Sequence, residues 1–167
     1  MKRIHFSAFV LIALTGPCDA QPLSPAQLTR DIHSRGARTV VEELDRAGRF
    51  DTVLSGIASG KAAWIRVAPA IANGTDAGDS TGLSVALAQA LPKNPRAVLQ
   101  VLDDGPVTGA GAVCGVPFIE PPPRAVAAYL NKTIPAVTRV PATAQFSQRS
   151  ACLAALTRAQ ASSTSRN

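Results

Sequence analysis

Thirteen prolines and twelve glycines divide this 167-residue chain into short segments, and the residues at the segment edges are those that start and stop helices. Ser24-Pro25-Ala26-Gln27 is the clearest start. Ser24 suits the N-cap, Pro25 the first helical position, and Gln27 can reach back to complete a capping box. Leu28 and Ile32 then lie four apart on one face, and Gly36 supplies a stop. A second helix is expected from Ala37 to about Ala47, with Val40, Val41 and Leu44 inward and Gly48 behind it. Asp51 to Gly60 forms a third, carrying Val53, Leu54 and Ile57. Lys61 to Ala72 reads as a fourth, kinked or shortened by Pro69.

After a polar turn-rich stretch, Asn73 to Ser80, a fifth helix is expected over Ser80 to Leu91, with Leu83, Leu87 and Leu91 on one face. Asn94-Pro95 repeats the cap-plus-proline start and opens a sixth, ended by Asp103-Asp104-Gly105-Pro106. Val98 to Leu102 is apolar enough for a buried strand, but its i, i+3, i+4 spacing favours helix. Residues 105–123, with Gly109, Gly111, Gly115 and four prolines from Pro117 to Pro123, read as irregular. Pro122 or Pro123 then opens a seventh helix to about Val140, bent at Pro135, with Val126, Leu130, Ile134 and Val137 inward. A last helix follows Pro141 and runs to about Ala159 with Phe146, Leu153 and Leu156. The expected fold is therefore all-α, one domain over 21–160 of six to eight short helices, with 161–167 as a flexible Ser/Thr-rich tail. The run Ile57–Ala68 also aligns without gaps on Leu91–Leu102 at an offset of 34 residues, sharing Ala63/Ala97 and Val67/Val101. Stacked helical hairpins of the solenoid kind would give such a period.

The first twenty residues read as a removed secretion signal. Lys2 and Arg3 precede the apolar run Phe6–Leu14, Gly16-Pro17 breaks it, and Cys18-Asp19-Ala20 places small residues before a cut at Gln21. That run is too short to span a membrane, and no later stretch is apolar enough. A periplasmic or secreted location follows. Removal of Cys18 leaves Cys114 and Cys152, which an oxidising compartment would join as a disulfide. The rival reading, a catalytic thiol, would have to use His33 as its base.

Most chemical motifs fail. Gly56 to Ala62 imitates a phosphate loop one residue short, with Ala62 where a magnesium-binding hydroxyl belongs. Gly109 to Gly115 imitates a dinucleotide turn with its last glycine one place late. Asn73 to Ser84 imitates a calcium loop but has Asn73, Thr75 and Ala77 where three oxygen ligands belong and Ser84 where the bidentate Glu belongs, so Asp76 and Asp79 read as turn and cap residues. No metal site, cofactor or catalytic set is expected. Glu120, beside Phe118 and Ile119, is the acid with the most apolar sequence neighbourhood, and it would serve a small cell-wall hydrolase as the proton donor. A single Trp and a single Tyr furnish little surface for sugar stacking.

Charge is uneven along the chain. The formal net charge is +6, and residues 121–167 carry Arg124, Lys132, Arg139, Arg149, Arg158 and Arg166 with no acid at all. At 100° per residue Arg124, Lys132 and Arg139 fall on one side of the seventh helix, opposite its apolar face. Such a stripe would attract an acidic protein face or an anionic envelope surface. Nucleic acid is not an expected partner, since export and scarce aromatics argue against it. The functional expectation is an exported non-catalytic binding protein, such as an inhibitor or immunity-type partner of an envelope enzyme. The alternatives are a small envelope hydrolase using Glu120 or the Asp76/Asp79 loop, and a binder of anionic surfaces.

Overall fold

The computed structural model describes residues 22–164, so the expected export signal lies outside the described residues. Among the described residues every regular element is helical. The chain begins with α1 (Pro25–Arg35) and α2 (Ala37–Arg46). Ser24 caps α1 as its sequence predicts, its Oγ accepting the Gln27 backbone N–H at 3.2 Å. The capping box is only half formed, because the Gln27 side chain turns away, donating to Asp31 and accepting from Arg30. Gly36 stops α1 at φ +85°, a left-handed-side conformation that only glycine adopts without strain.

Next come α3 (Phe50–Ala58), α4 (Ala62–Ile65) and α5 (Ala68–Ala72). The expected fourth helix is thus two. Pro69 occupies an opening position of α5, where its missing N–H costs nothing, so the chain breaks ahead of the proline rather than bending at it. Then α6 (Ala77–Ala90) begins three residues earlier than expected because Asp76 acts as its cap, accepting the Asp79 N–H at 3.0 Å. Asn94 caps α7 (Pro95–Val101), which confirms helix over strand there.

The two segments related by the 34-residue offset meet in space. α3 packs on α6 and α4 on α7. At the corresponding turns, Asn94 Nδ2 donates to the Gly60 carbonyl at 3.0 Å. The stretch expected to be irregular contains α8 (Ala110–Cys114), and the chain closes with α9 (Pro123–Thr138), a 3₁₀ turn (Ala144–Phe146) and α10 (Arg149–Thr164). α9 runs through Pro135. α10 continues past Ala161, so the expected frayed tail is helical as far as Thr164. Residues 165–167 lie outside the described residues.

The inward residues named from spacing form one contiguous apolar core. Leu28, Val40, Val41, Leu44, Val53, Ile57, Leu83, Leu87, Leu91, Leu130, Val137 and Leu156 are all buried in it. Cys114 in α8 and Cys152 in α10 form the expected disulfide, with Cα atoms 5.2 Å apart. α10 packs on both α8 and α9, so the bond staples the C-terminal helices together around the Gly115–Pro122 connection.

Candidate functional site

α9 gives the basic stripe its geometry. Pro123 opens the helix, and Leu130, Thr133 and Val137 face the core. That rotation leaves Arg124, Lys132 and Arg139 exposed. They sit eight and seven residues apart, which spaces them about 12 Å and about 10 Å along the helix axis. None of the three forms an ion pair among the described residues. Arg139 lies at the C-terminal end of α9, where a cation is favoured by the helix dipole.

The other basic residues of this half divide by environment. Arg149 does not belong to the exposed set. Its Nη2 donates to the Thr138 carbonyl at 2.8 Å, tying α10 to the end of α9. Its Nε is buried without a hydrogen-bond partner among the described residues. Arg158 is exposed on α10 and lines a cleft of about 460 Å³ with Gly115, Val116, Phe118, Pro121 and Ala159.

Within the 105–123 stretch expected to be irregular, the 115–122 connection between α8 and α9 has a definite form. Val116 sits at φ +59° and Glu120 at φ +45°. Such values are strained for any residue with a Cβ, most of all for a β-branched valine. Phe118 packs edge-on against Tyr129 of α9, ring centres 4.9 Å apart. Tyr129 in turn donates its hydroxyl to the Ala88 carbonyl of α6 at 3.1 Å. Burial pushes the Tyr129 phenol up to about 12, against a smaller opposing pull from Thr133. Between these fixed points Ile119 projects into solvent, 81% exposed. Sequence reading passed over Ile119, because the signal is an exposed aliphatic side chain and exposure is set by tertiary structure.

Glu120 is exposed. It borders a groove lined by the apolar Pro121, Pro123 and Val126, with Ser163. Phe118 packs against the core while Ile119 and Glu120 are exposed. Carboxyls do meet at the start of α6. Asp79 is raised above the usual carboxylate range, first by partial burial and then by the charges of Asp45 and Asp76. Asp45, Asp51 and Asp79 border a cavity of about 360 Å³ with Phe50 and Leu54. No three side chains of His, Cys, Asp or Glu converge as metal ligands among the described residues. His33 is exposed on α1, and both cysteines of the rival thiol reading are consumed by the disulfide.

No protein-family model matches the chain, and no curated protein and no solved structure matches it. Among the described residues no helix is long and apolar enough to cross a membrane.

Proposed function

We propose that this chain is an exported, non-catalytic binding protein of the inhibitor or immunity type, whose partner is a protein with an acidic face. The observation that carries the reading is the row of exposed Arg124, Lys132 and Arg139, which form no ion pair among the described residues, in a C-terminal segment whose sequence is devoid of acids. A row about 22 Å long suits an extended protein surface better than a small ligand. Opposite charge across such a surface steers the encounter and fixes its register. The disulfide supports the exported part of the reading, because such bonds persist in oxidising compartments.

The test is a pull-down from envelope extract, followed by calorimetry with the purified partner. One stoichiometric protein is expected, bound more weakly as salt rises, with binding lost in the Arg124→Glu/Lys132→Glu/Arg139→Glu variant. Unchanged affinity in that variant defeats the proposal. A second reading, a small envelope hydrolase, draws on the raised Asp79 carboxyl beside Asp45. Peptidoglycan turnover that vanishes with Asp79→Asn would move the assignment there. Salt-sensitive binding to anionic vesicles without a protein partner would favour an envelope-surface binder.

A further inference from the structure

Resting on the protein-binding reading above, we infer that Ile119 is the anchor of the interface, inserted into an apolar pocket of the partner whose rim carries carboxylates. Three separate features of the molecule converge on this side chain. It is the large hydrophobic residue that stands exposed among the described residues, at 81%. A lone exposed aliphatic residue needs no explanation by itself. Here, however, the backbone on both sides is held in conformations that L residues avoid, at Val116 and Glu120. The strain has no evident packing benefit at the tip, since the side chain it displays touches solvent. Strain of this sort persists where surrounding structure enforces it, and it gathers at recognition and catalytic sites.

The enforcement is visible on each side of the tip. Cys114, two residues before Val116, is bonded to α10. Phe118, immediately before Ile119, is locked edge-on against the partly buried Tyr129. Pro121, Pro122 and Pro123 follow Glu120 and lead directly into α9. A side chain held in this way loses little freedom on binding, so its burial is converted into affinity more fully than that of a mobile one. Interfaces of this kind concentrate their energy in a few central apolar residues, with charged groups around them.

The charges near the tip define the partner. Arg124 lies one residue into α9 after the loop, and Arg158 lines the cleft beneath Val116 and Phe118. Glu120 is the acid next to Ile119 in the chain and borders the groove toward Ser163. Two cations against one carboxylate favour an acidic rim around the receiving pocket. A folded protein supplies both a pocket one side chain deep and a fixed arrangement of carboxylates. A lipid surface supplies neither, and the adjacent Glu120 would be repelled by anionic headgroups.

The experiment places a photo-crosslinking amino acid at position 119, at position 132 on the basic stripe, or at position 29 on α1, in the otherwise intact chain within the producing cell. One protein should be captured from positions 119 and 132 and none from 29. That protein, purified, should bind the wild-type chain and the Ile119→Leu variant alike, and Ile119→Asp at least about thirtyfold more weakly. Val116→Gly, which accepts the positive φ without strain but frees the loop, should keep the helical fold and bind several-fold more weakly. Capture from 132 alone, or equal affinity for Ile119→Asp, overturns the anchor while leaving the basic face standing. Capture from neither position overturns both. Binding to vesicles of equal phosphatidylglycerol and phosphatidylethanolamine that is lost in Ile119→Asp also overturns the inference, since it assigns the tip to a membrane.

Discussion

Burial keeps the Tyr129 phenol protonated to about 12, against an ordinary value of 10.0. The sign of its contribution follows. The folded state holds the proton more tightly, so this stabilisation is full below pH 10 and is lost as pH rises through about 12. The chain has one tyrosine, so the phenolate absorbance band reports it alone. The expected midpoint is about 12, or the alkaline unfolding transition if that comes first. A midpoint near 10 with the helical circular dichroism intact would show that the ring is not buried as described. Asp79 has the same sign at the other end of the scale. Its contribution is complete below its ordinary value of 3.8 and fades as pH rises through the raised value, leaving a cluster of repelling carboxylates at neutral pH. Asp79→Asn should therefore stabilise the fold at pH 7 by up to about 1 kcal/mol. It leaves the backbone N–H that Asp76 accepts untouched. Denaturant titrations at pH 7 and pH 3 check this, the gain being expected only at the higher pH. Residue types alone made the basic stripe legible, because Arg124, Lys132 and Arg139 are placed by a periodicity of 3.6. The strain at Val116 and Glu120 was not legible, because neither residue type announces a positive φ and only the surrounding structure imposes it.

Helix ends were readable wherever the stop or start is local chemistry. Ser24, Asn94, Gly36, Gly48 and Gly60 act within one turn of their own position, and all five do what their types suggest. Readings failed where a neighbour in space decides. The 61–72 segment breaks after Arg66 because Ile65, Val67, Ala68 and Ile71 all have to enter the core, and a straight helix interrupted at Pro69 cannot deliver them together. α8 forms in a glycine-rich stretch of poor helix propensity because Ala110, Val113 and Cys114 are buried there and Cys114 is bonded to α10. Gly74 shows the same dependence on a distant element. Its sequence context suggests an ordinary turn, yet a Cβ at this position would lie 2.4 Å from the backbone of Ala37, at the start of α2. Backbone cannot move aside as a side-chain tip can. Gly74→Ala should cost about 1–3 kcal/mol, the usual range for forced overpacking. Chemical denaturation measures it, and a cost below a few tenths of a kcal/mol would mean that the α5–α6 turn does not press on α2.

At the scale of the whole molecule, the disulfide encloses the elements assigned to recognition. Its two ends are 38 residues apart, and the loop they close contains Val116, Ile119, Glu120 and all of α9. Cross-linking a loop of that length stabilises the fold by about 3–4 kcal/mol in the chain-entropy account. Domains of this size have only about 5–15 kcal/mol to lose. The bond therefore bears on function as well as on stability, since it holds one end of the strained connection while Tyr129 and Phe118 hold the other. The N-terminal hairpins need no such support. α3 and α6 pack through Val53, Ile57, Leu83 and Leu87, which are wholly buried. Reduction should thus lower stability by about 3–4 kcal/mol and should do so unevenly. Hydrogen exchange read segment by segment, with and without reductant, should show protection falling first over 110–138 while α3 and α6 keep theirs. The Cys114→Ala/Cys152→Ala variant should behave as the reduced chain does. A uniform loss of protection across all helices would show that the molecule opens as one cooperative unit, and that the bond does not act selectively on the half that presents Ile119 and the basic row.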